Sequence, residues 1–182
     1  LHEALENDYS AEFNLAASAC GAGSYNMYDI FTTMVGTDTY PMPAYLGYII
    51  HAYSAYDQFT NPVEEILNDE YAQKLNSLFT GTMYTGEINS QLTTSISELF
   101  RPEFLSGFVS SATYSSVRNA LINNSIEGYK TEVPLLMLHG QSDTSVPVEA
   151  TETMYDAMIA AGTSSTTCRK IIFPGLEHGE GL

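Results

Sequence analysis

Basic side chains are scarce in this 182-residue chain, which has 6 Lys and Arg against 22 Asp and Glu and a formal net charge of −16. Nucleic-acid binding needs basic surface that replaces counterions, so this class of function is excluded. Attraction to anionic membranes is disfavoured for the same reason. An acidic surface suits a secreted, periplasmic or salt-tolerant protein, and we expect a secreted or periplasmic location.

Long hydrophobic runs and metal-binding motifs are missing as well. No stretch of eighteen apolar residues occurs, so nothing in the sequence predicts a membrane-spanning helix. The patterns CxxC and HExxH are absent, and Cys and His do not cluster, so the sequence gives no support for a zinc site. Apolar residues still make up 44% of the chain, which is enough for the core of one domain, with or without an insertion.

Both ends of the chain alternate strand and helix at the spacing of α/β proteins. Three apolar runs predict buried strands, at residues 13–19, 133–138 and 168–173. Residues 1–9 resemble the end of a helix, with Leu1, Ala4 and Leu5 on one face. Residues 147–161 predict an amphipathic helix, because the apolar positions recur at helical spacing and a glycine, Gly162, follows.

The middle of the chain is mostly helical in pattern and is broken by proline and glycine. The predicted helical segments are residues 27–35, 43–56, 70–79, 96–108 and 114–123. Residues 61–67 also open like a helix, with Asn61 as the N-cap and Pro62 at the first position. These patterns divide the chain into core (1–24), helical insertion (25–132) and core again (133–182).

The two cysteines, Cys20 and Cys168, could form one disulfide by number alone. They fall at opposite ends of predicted parallel strands, which separates them by roughly 20 Å along the strand direction. A disulfide needs Cα atoms within about 7 Å, so we predict two free thiols.

An aspartate and a histidine each follow a predicted strand. Asp143 comes after the strand at 133–138, and His178 comes after the strand at 168–173. Catalytic groups gather at the carboxyl ends of parallel strands, so these two side chains can meet at one edge of the sheet. Such a pair can activate a serine, because the histidine takes the proton and the aspartate fixes its tautomer.

The segments around these residues resemble the α/β-hydrolases. The stretch PLLMLHGQSDTSVP looks like their acid-bearing segment, FPGLEHGEG like their histidine loop, and ACGAGSYNMYD like a segment of bacterial secreted lipase-like members. The resemblance implies an α/β fold with a partial parallel sheet of about three strands. It also implies that the insertion is a cap or lid, and that Asp143 and His178 are the acid and base of a Ser–Asp–His triad.

The nucleophile elbow of that family, Gly-x-Ser-x-Gly, does not occur in the 182 residues. In the family the elbow precedes a helix, and residues 1–9 look like the remainder of that helix. The resemblance therefore places the serine roughly ten residues before Leu1, with the oxyanion hole also outside the chain. We expect the C-terminal part of a larger hydrolase, which alone is inactive and aggregates, dimerises through its exposed sheet edge or binds its missing half.

Other polar residues near this edge are assigned structural roles. We expect His139 to pack at the strand end, with Gly140 permitting the turn, and Asp29 to lie within a helix. Glu177 and Glu180 are interpreted as solvated charges beside His178. Three serines lie near the edge but on no elbow, so none is expected to be the nucleophile: Ser24, Ser142 and Ser145. Gly21 and Gly23 are expected to adopt backbone conformations that other residues avoid.

The predicted function is hydrolysis of carboxylic (acyl) esters of a small-molecule or lipid substrate, of lipase or esterase type. This serine-hydrolase function implies no metal and no organic cofactor. Two alternatives stay open at this point. One keeps the fold and changes the bond, as in a prolyl-type peptidase or another acyl hydrolase. The other is a non-catalytic module that uses the hydrolase scaffold to bind a partner.

Overall fold

The computed structural model describes residues 1–180 and contains a parallel sheet of three strands. The strands are β1 (Ser18–Gly21), β2 (Leu135–Gly140) and β3 (Cys168–Phe173), in the order β1-β2-β3. β2 is central and largely buried, whereas every second residue of β1 is exposed. The predicted fold class, a partial α/β-hydrolase sheet with helices, is confirmed.

The sheet belongs to the first of two compact units, formed by residues 1–26 and the described residues from 125 onward. Its helices are α1 (His2–Asn7) and α9 (Glu149–Ala160). α9 packs against β2 and β3 and contributes methionines to a core with the strands. Gly162 follows α9 with φ of 100°, which confirms its predicted role as the helix stop.

The second unit, residues 27–124, is built from short helices around aromatic side chains. Its α-helices are α2 (Met27–Val35), α3 (Pro43–Ala55), α4 (Asp69–Leu78), α5 (Thr85–Asn89), α6 (Ile96–Leu99), α7 (Pro102–Gly107) and α8 (Ser115–Asn123). Phe31 and Phe104 are fully buried, and their rings meet edge to face with centroids 6.4 Å apart. No helix in the described residues is long and apolar enough to cross a membrane.

Two predicted helical segments of the second unit differ from the structure. Residues 96–108 form two helices because Phe100 and Arg101 are extended before Pro102, which disfavours helix in the residue preceding it. Residues 61–67 form only a 3₁₀ turn, Val63–Glu65. Asn61 caps no helix and instead donates its amide to the Glu65 carboxylate and the Thr113 carbonyl.

The predicted limits of two strands and the predicted buried face of one helix were also wrong. β1 begins at Ser18, where pairing with Leu135 starts, and the predicted strand residue Phe13 is about half exposed. β2 begins two residues later than predicted, because its pairing partners start at Ser18 and Cys168. In α1, Leu1 is exposed, and His2 is the residue that is buried.

His2 and Glu6 form a polar cluster that joins α1 to the rest of the first unit. The two ring nitrogens of His2 lie 2.9 Å from Ser18 Oγ and 3.1 Å from Thr131 Oγ1. Thr131 donates its hydroxyl to the Glu6 carboxylate, which also accepts the amide of Glu132. Burial lowers the pKa of His2, against the opposing attraction of Glu6. For Glu6, burial acts to raise the pKa, but its hydrogen bonds and the charge of His2 together outweigh burial and the pKa is lowered.

The prediction of two free thiols is confirmed, although the separation was overestimated. Cys20 pairs with Met137 and Cys168 with Leu135, so the cysteines are offset by two residues, about 7 Å, along the strands. Two strand spacings, about 10 Å, separate them across the sheet. Burial raises the pKa of Cys168, which lies in the core against which Cys20 packs.

The chain leaves and re-enters the first unit at adjacent points. The amide of Ile126 donates to the carbonyl of Tyr25 at 2.8 Å, and the side chains of Ser125 and Asn26 lie 3.3 Å apart. The two ends of the inserted segment are therefore joined by hydrogen bonds within the first unit.

Candidate active site

Asp143 and His178 meet at the carboxyl edge of the sheet. Asp143 lies in the loop after β2 and His178 in the loop after β3, and Asp143 Oδ2 is 2.8 Å from His178 Nδ1. The Asp143 side chain is fully buried, whereas a third of the His178 side chain is exposed. A buried carboxylate thus contacts one nitrogen of a ring that solvent can reach.

The loop after β2 fixes the carboxylate of Asp143 with its own backbone. The amides of Ser145 and Val146 both donate to Oδ1 at 2.8 Å. This is the local turn that aspartate favours, in which the side chain binds backbone N–H groups two and three residues on. Oδ2 is therefore left on the side of the carboxylate that faces His178.

His139, near the end of β2, is a third member of this cluster. Its Nε2 lies 3.2 Å from Asp143 Oδ2 and 2.9 Å from the Val146 carbonyl oxygen. Its Nδ1 lies 2.7 Å from the Thr151 hydroxyl at the start of α9. The side chain is fully buried, as expected of a packed residue, but its contact with Asp143 was not anticipated.

Gly140 makes room for the histidine loop. A Cβ added there would lie 2.8 Å from the Glu177 carbonyl oxygen and still closer to that of Leu176. Real Cβ atoms essentially never approach backbone this closely, so the position requires glycine for space. Gly140 thus permits the close approach of the loops by its lack of a side chain, and it is not among the positive-φ residues in the part of the chain that the structure describes.

The two loops are also joined by the acidic residues beside His178. Glu177 accepts hydrogen bonds from the backbone amide and the hydroxyl of Thr144, at 3.2 and 3.1 Å. The Ser142 amide donates to the Leu176 carbonyl at 2.9 Å, and Glu180 accepts the amide of Glu177. The interpretation of these glutamates as solvated charges was incomplete, since both are exposed yet shape the histidine loop.

The carboxyl end of β1 carries a strained residue. Ala22 has φ of 45°, a conformation that costs a non-glycine residue energy, whereas Gly21 and Gly23 do not have positive φ. The Ala22 amide donates to the Leu138 carbonyl at 2.8 Å, which holds it against β2. A Cβ at Gly23 would collide with the far end of the Tyr25 side chain, which would have to shift.

The other candidate residues do not take part in the contact between the side chains of Asp143 and His178. Asp29 lies in the first turn of α2, as expected, and is exposed. Ser24 and Ser142 are exposed loop residues, and Ser145 contributes its amide to the turn around Asp143. Among residues 1–180, no three His, Cys, Asp or Glu side chains group as metal ligands would.

The second unit has a cleft of its own, with a volume of about 330 Å³. Aromatic and aliphatic side chains line most of it, including Tyr45, Tyr48 and Phe79. The five buried phenylalanines of this unit, in contrast, belong to its core: Phe31, Phe59, Phe100, Phe104 and Phe108.

The solved structures that share this fold include an esterase and a lipase. The rice cell wall degrading esterase LipA from Xanthomonas oryzae is 23% identical, with a TM-score of 0.80 over 94% of this chain and 46% of its own. Candida antarctica lipase A in its closed state is 17% identical, with a TM-score of 0.70 over 97% of this chain and 40% of its own. The chain thus spans less than half the length of either structure, and likeness at such identities shows the fold alone.

A comparison with curated protein sequences gives no match. Residues 71–181 match the prolyl oligopeptidase family. The matched region covers more than half of the chain and includes both Asp143 and His178. The predicted membership of the α/β-hydrolase superfamily is confirmed, and the chain belongs to the prolyl oligopeptidase family within it.

Proposed function

We propose that this chain provides the acid, Asp143, and the base, His178, of a Ser–Asp–His triad in a serine hydrolase of carboxylic esters. The observation that carries the proposal is the 2.8 Å contact between Asp143 Oδ2 and His178 Nδ1. A carboxylate bound to Nδ1 holds the histidine in the tautomer whose Nε2 accepts the proton of a serine. Burial of the carboxylate and partial exposure of the ring support the same division of roles.

In this mechanism the serine attacks the acyl carbon while His178 takes its proton. His178 then gives the proton to the leaving alcohol, and water releases the acyl group in a second step of the same kind. Asp143 stays ionised and stabilises the imidazolium. Because no Gly-x-Ser-x-Gly occurs in the 182 residues, the proposal assigns the nucleophile and the oxyanion hole to residues outside them.

The choice of an ester is supported by the resemblance to secreted lipase-like enzymes and by the fold shared with an esterase and a lipase. The second candidate, cleavage of a peptide bond, is favoured by the match of residues 71–181 to the prolyl oligopeptidase family. Both reactions use the same triad and differ in the leaving group, an alcohol or an amine.

We also propose that residues 27–124 act as the cap or lid of the enzyme. Their place in the chain, between β1 and β2, is where α/β-hydrolases commonly carry one.

The acidic composition supports a secreted or periplasmic setting. We propose a small-molecule or lipid ester as the substrate. As a partner, we propose the segment that carries the serine.

The test uses the protein as its gene encodes it, with p-nitrophenyl esters, a proline p-nitroanilide peptide and a fluorophosphonate probe. We expect ester hydrolysis, labelling of one serine and a loss of about 10⁴-fold in kcat for Asp143→Asn. Asp29→Asn is the matched control, because Asp29 is exposed in α2, and it should stay within twofold of the wild type.

Faster cleavage of the anilide than of the esters would favour the peptidase. Absence of both activities and of labelling would refute the enzyme and support the binding module. Labelling of the 182-residue chain by itself would contradict the assignment of the serine to residues outside it.

A further inference from the structure

The cluster around Asp143 contains one donor that the triad mechanism does not use. Nε2 of His139 lies 2.9 Å from the Val146 carbonyl oxygen and 3.2 Å from Asp143 Oδ2. A carbonyl only accepts hydrogen bonds, so Nε2 must carry a proton, which it donates to Val146 while lying beside the Asp143 carboxylate. His139 is fully buried, so this donor is held inside the protein.

The other ring nitrogen of His139 has a partner that suits the same tautomer. The Thr151 hydroxyl, also fully buried, lies 2.7 Å from Nδ1 and can donate to it. With the proton on Nε2, Nδ1 is an acceptor, and every polar atom of the ring is satisfied. The Val146 carbonyl therefore sets the tautomer, and Thr151 binds the remaining nitrogen and holds the ring with its N–H group beside Asp143.

We propose that His139 is a positioning residue for Asp143, and that Thr151 holds the ring of His139 in the orientation in which it acts. The carboxylate accepts hydrogen bonds from the amides of Ser145 and Val146 on Oδ1 and from His178 on Oδ2. His139 binds the carbonyl of Val146, whose amide holds Oδ1, and its N–H group lies 3.2 Å from Oδ2. Turning the carboxylate away from His178 would break these bonds, so the contact between acid and base is held in place.

The catalytic consequence rests on the proposed function. Loss of the His139 N–H group removes the hydrogen bond that ties Val146, and with it the loop around Asp143, to β2. A small displacement of Asp143 weakens its hold on the His178 ring, which lowers kcat while the binding of substrate is unchanged. A purely structural histidine would instead change stability without this selective loss.

The experiment compares two matched pairs of variants in the protein as its gene encodes it. His139→Met removes the N–H donor, whereas the amide of His139→Gln can reach the place of Nε2. Thr151→Val removes the hydroxyl and keeps the methyl group, whereas Thr151→Ser keeps the hydroxyl and loses the methyl group. We measure kcat and KM for the p-nitrophenyl ester, thermal midpoints and the ¹⁵N spectra of the imidazoles.

We expect His139→Met and Thr151→Val to lower kcat about tenfold, the effect of losing one buried hydrogen bond, with KM within twofold. The Gln and Ser variants should retain most of kcat. Unchanged kcat in Thr151→Val, or losses in all four variants that follow their thermal midpoints, would overturn the proposal. Thr151→Val leaves the ring of His139 in place, so it decides the matter even where His139→Met does not fold.

The spectra test the proposal without activity. We expect the Nε2–H tautomer of His139 in the wild type and in Thr151→Val, with the Nδ1 resonance shifted in the variant because its hydrogen-bond donor is lost, while an Nδ1–H tautomer in the wild type would overturn the proposal. If the wild type cleaves neither ester nor anilide, the proposed function fails. The tautomers of His139 and His178 in the variants then decide the hydrogen-bonded arrangement alone.

Discussion

Replacing Gly140 with alanine should separate the acid from the base without touching either side chain. The added Cβ would lie 2.8 Å from the Glu177 carbonyl oxygen and closer still to that of Leu176. Tolerated Cβ contacts begin at 3.0–3.4 Å, so the histidine loop must move by about 1 Å. His178 lies one residue beyond Glu177, so the shift is passed to the contact with Asp143.

The expected size of the effect follows from this displacement. A misplacement of about 1 Å in a catalytic group costs roughly 100-fold in rate. Overpacking of this kind also costs roughly 1–3 kcal/mol of stability, or about 2–12 °C in thermal midpoint for a protein of this size. We therefore expect kcat to fall about 100-fold, with a modest loss of stability.

The assay is ester hydrolysis and thermal unfolding of Gly140→Ala beside Gly86→Ala. Gly86 lies in α5, and an added Cβ there meets nothing within 4 Å, so its replacement should leave both activity and stability at least as high as in the wild type. The reasoning fails if Gly140→Ala keeps its activity within twofold, because the loop approach would then not control the Asp143–His178 contact.

Two further predictions concern stability. The folded state lowers the pKa of both His2 and Glu6, so the unfolded chain binds more protons and stability falls as pH drops, below about 6.5 for His2 and below about 4.3 for Glu6. The thermal midpoint of His2→Gln should therefore vary less between pH 7 and 5 than that of the wild type, and equal slopes would contradict this. Phe104→Ala removes a fully buried ring that packs against other aromatic side chains, which should cost about 3–5 kcal/mol in chemical denaturation. Tyr56→Ala, at a side chain that is 78% exposed, should cost less than about 0.5 kcal/mol, and a loss below 1 kcal/mol for Phe104→Ala would refute the assigned packing.

The meeting of Asp143 and His178 could be anticipated from sequence because topology alone determines it. Once the two apolar runs are assigned to parallel strands, their following loops share one edge of the sheet. The exact donors around the carboxylate could not be anticipated in the same way. His139 and Thr151 are twelve residues apart, and their contact depends on how α9 packs on the sheet, which no local pattern encodes.

The first and last residues of the strands were harder to predict from the sequence than the existence of the strands. The run at 13–19 is apolar enough for a strand, yet β1 forms only where Ser18 finds its partner Leu135. The break before Pro102 could have been predicted from the rule for residues that precede proline. The requirement for glycine at position 140 could not, because the carbonyl groups that exclude a side chain come from a loop more than thirty residues away.

The hydrogen bond from Ile126 to Tyr25 has an evolutionary consequence. A segment whose two ends leave a scaffold side by side can be lengthened, shortened or exchanged by recombination without moving the strands that flank it. Residues 27–124 could therefore be replaced by a short turn, or by an unrelated domain, while Asp143 and His178 keep their places. Selection can then alter the inserted segment and the paired acid and base independently of each other.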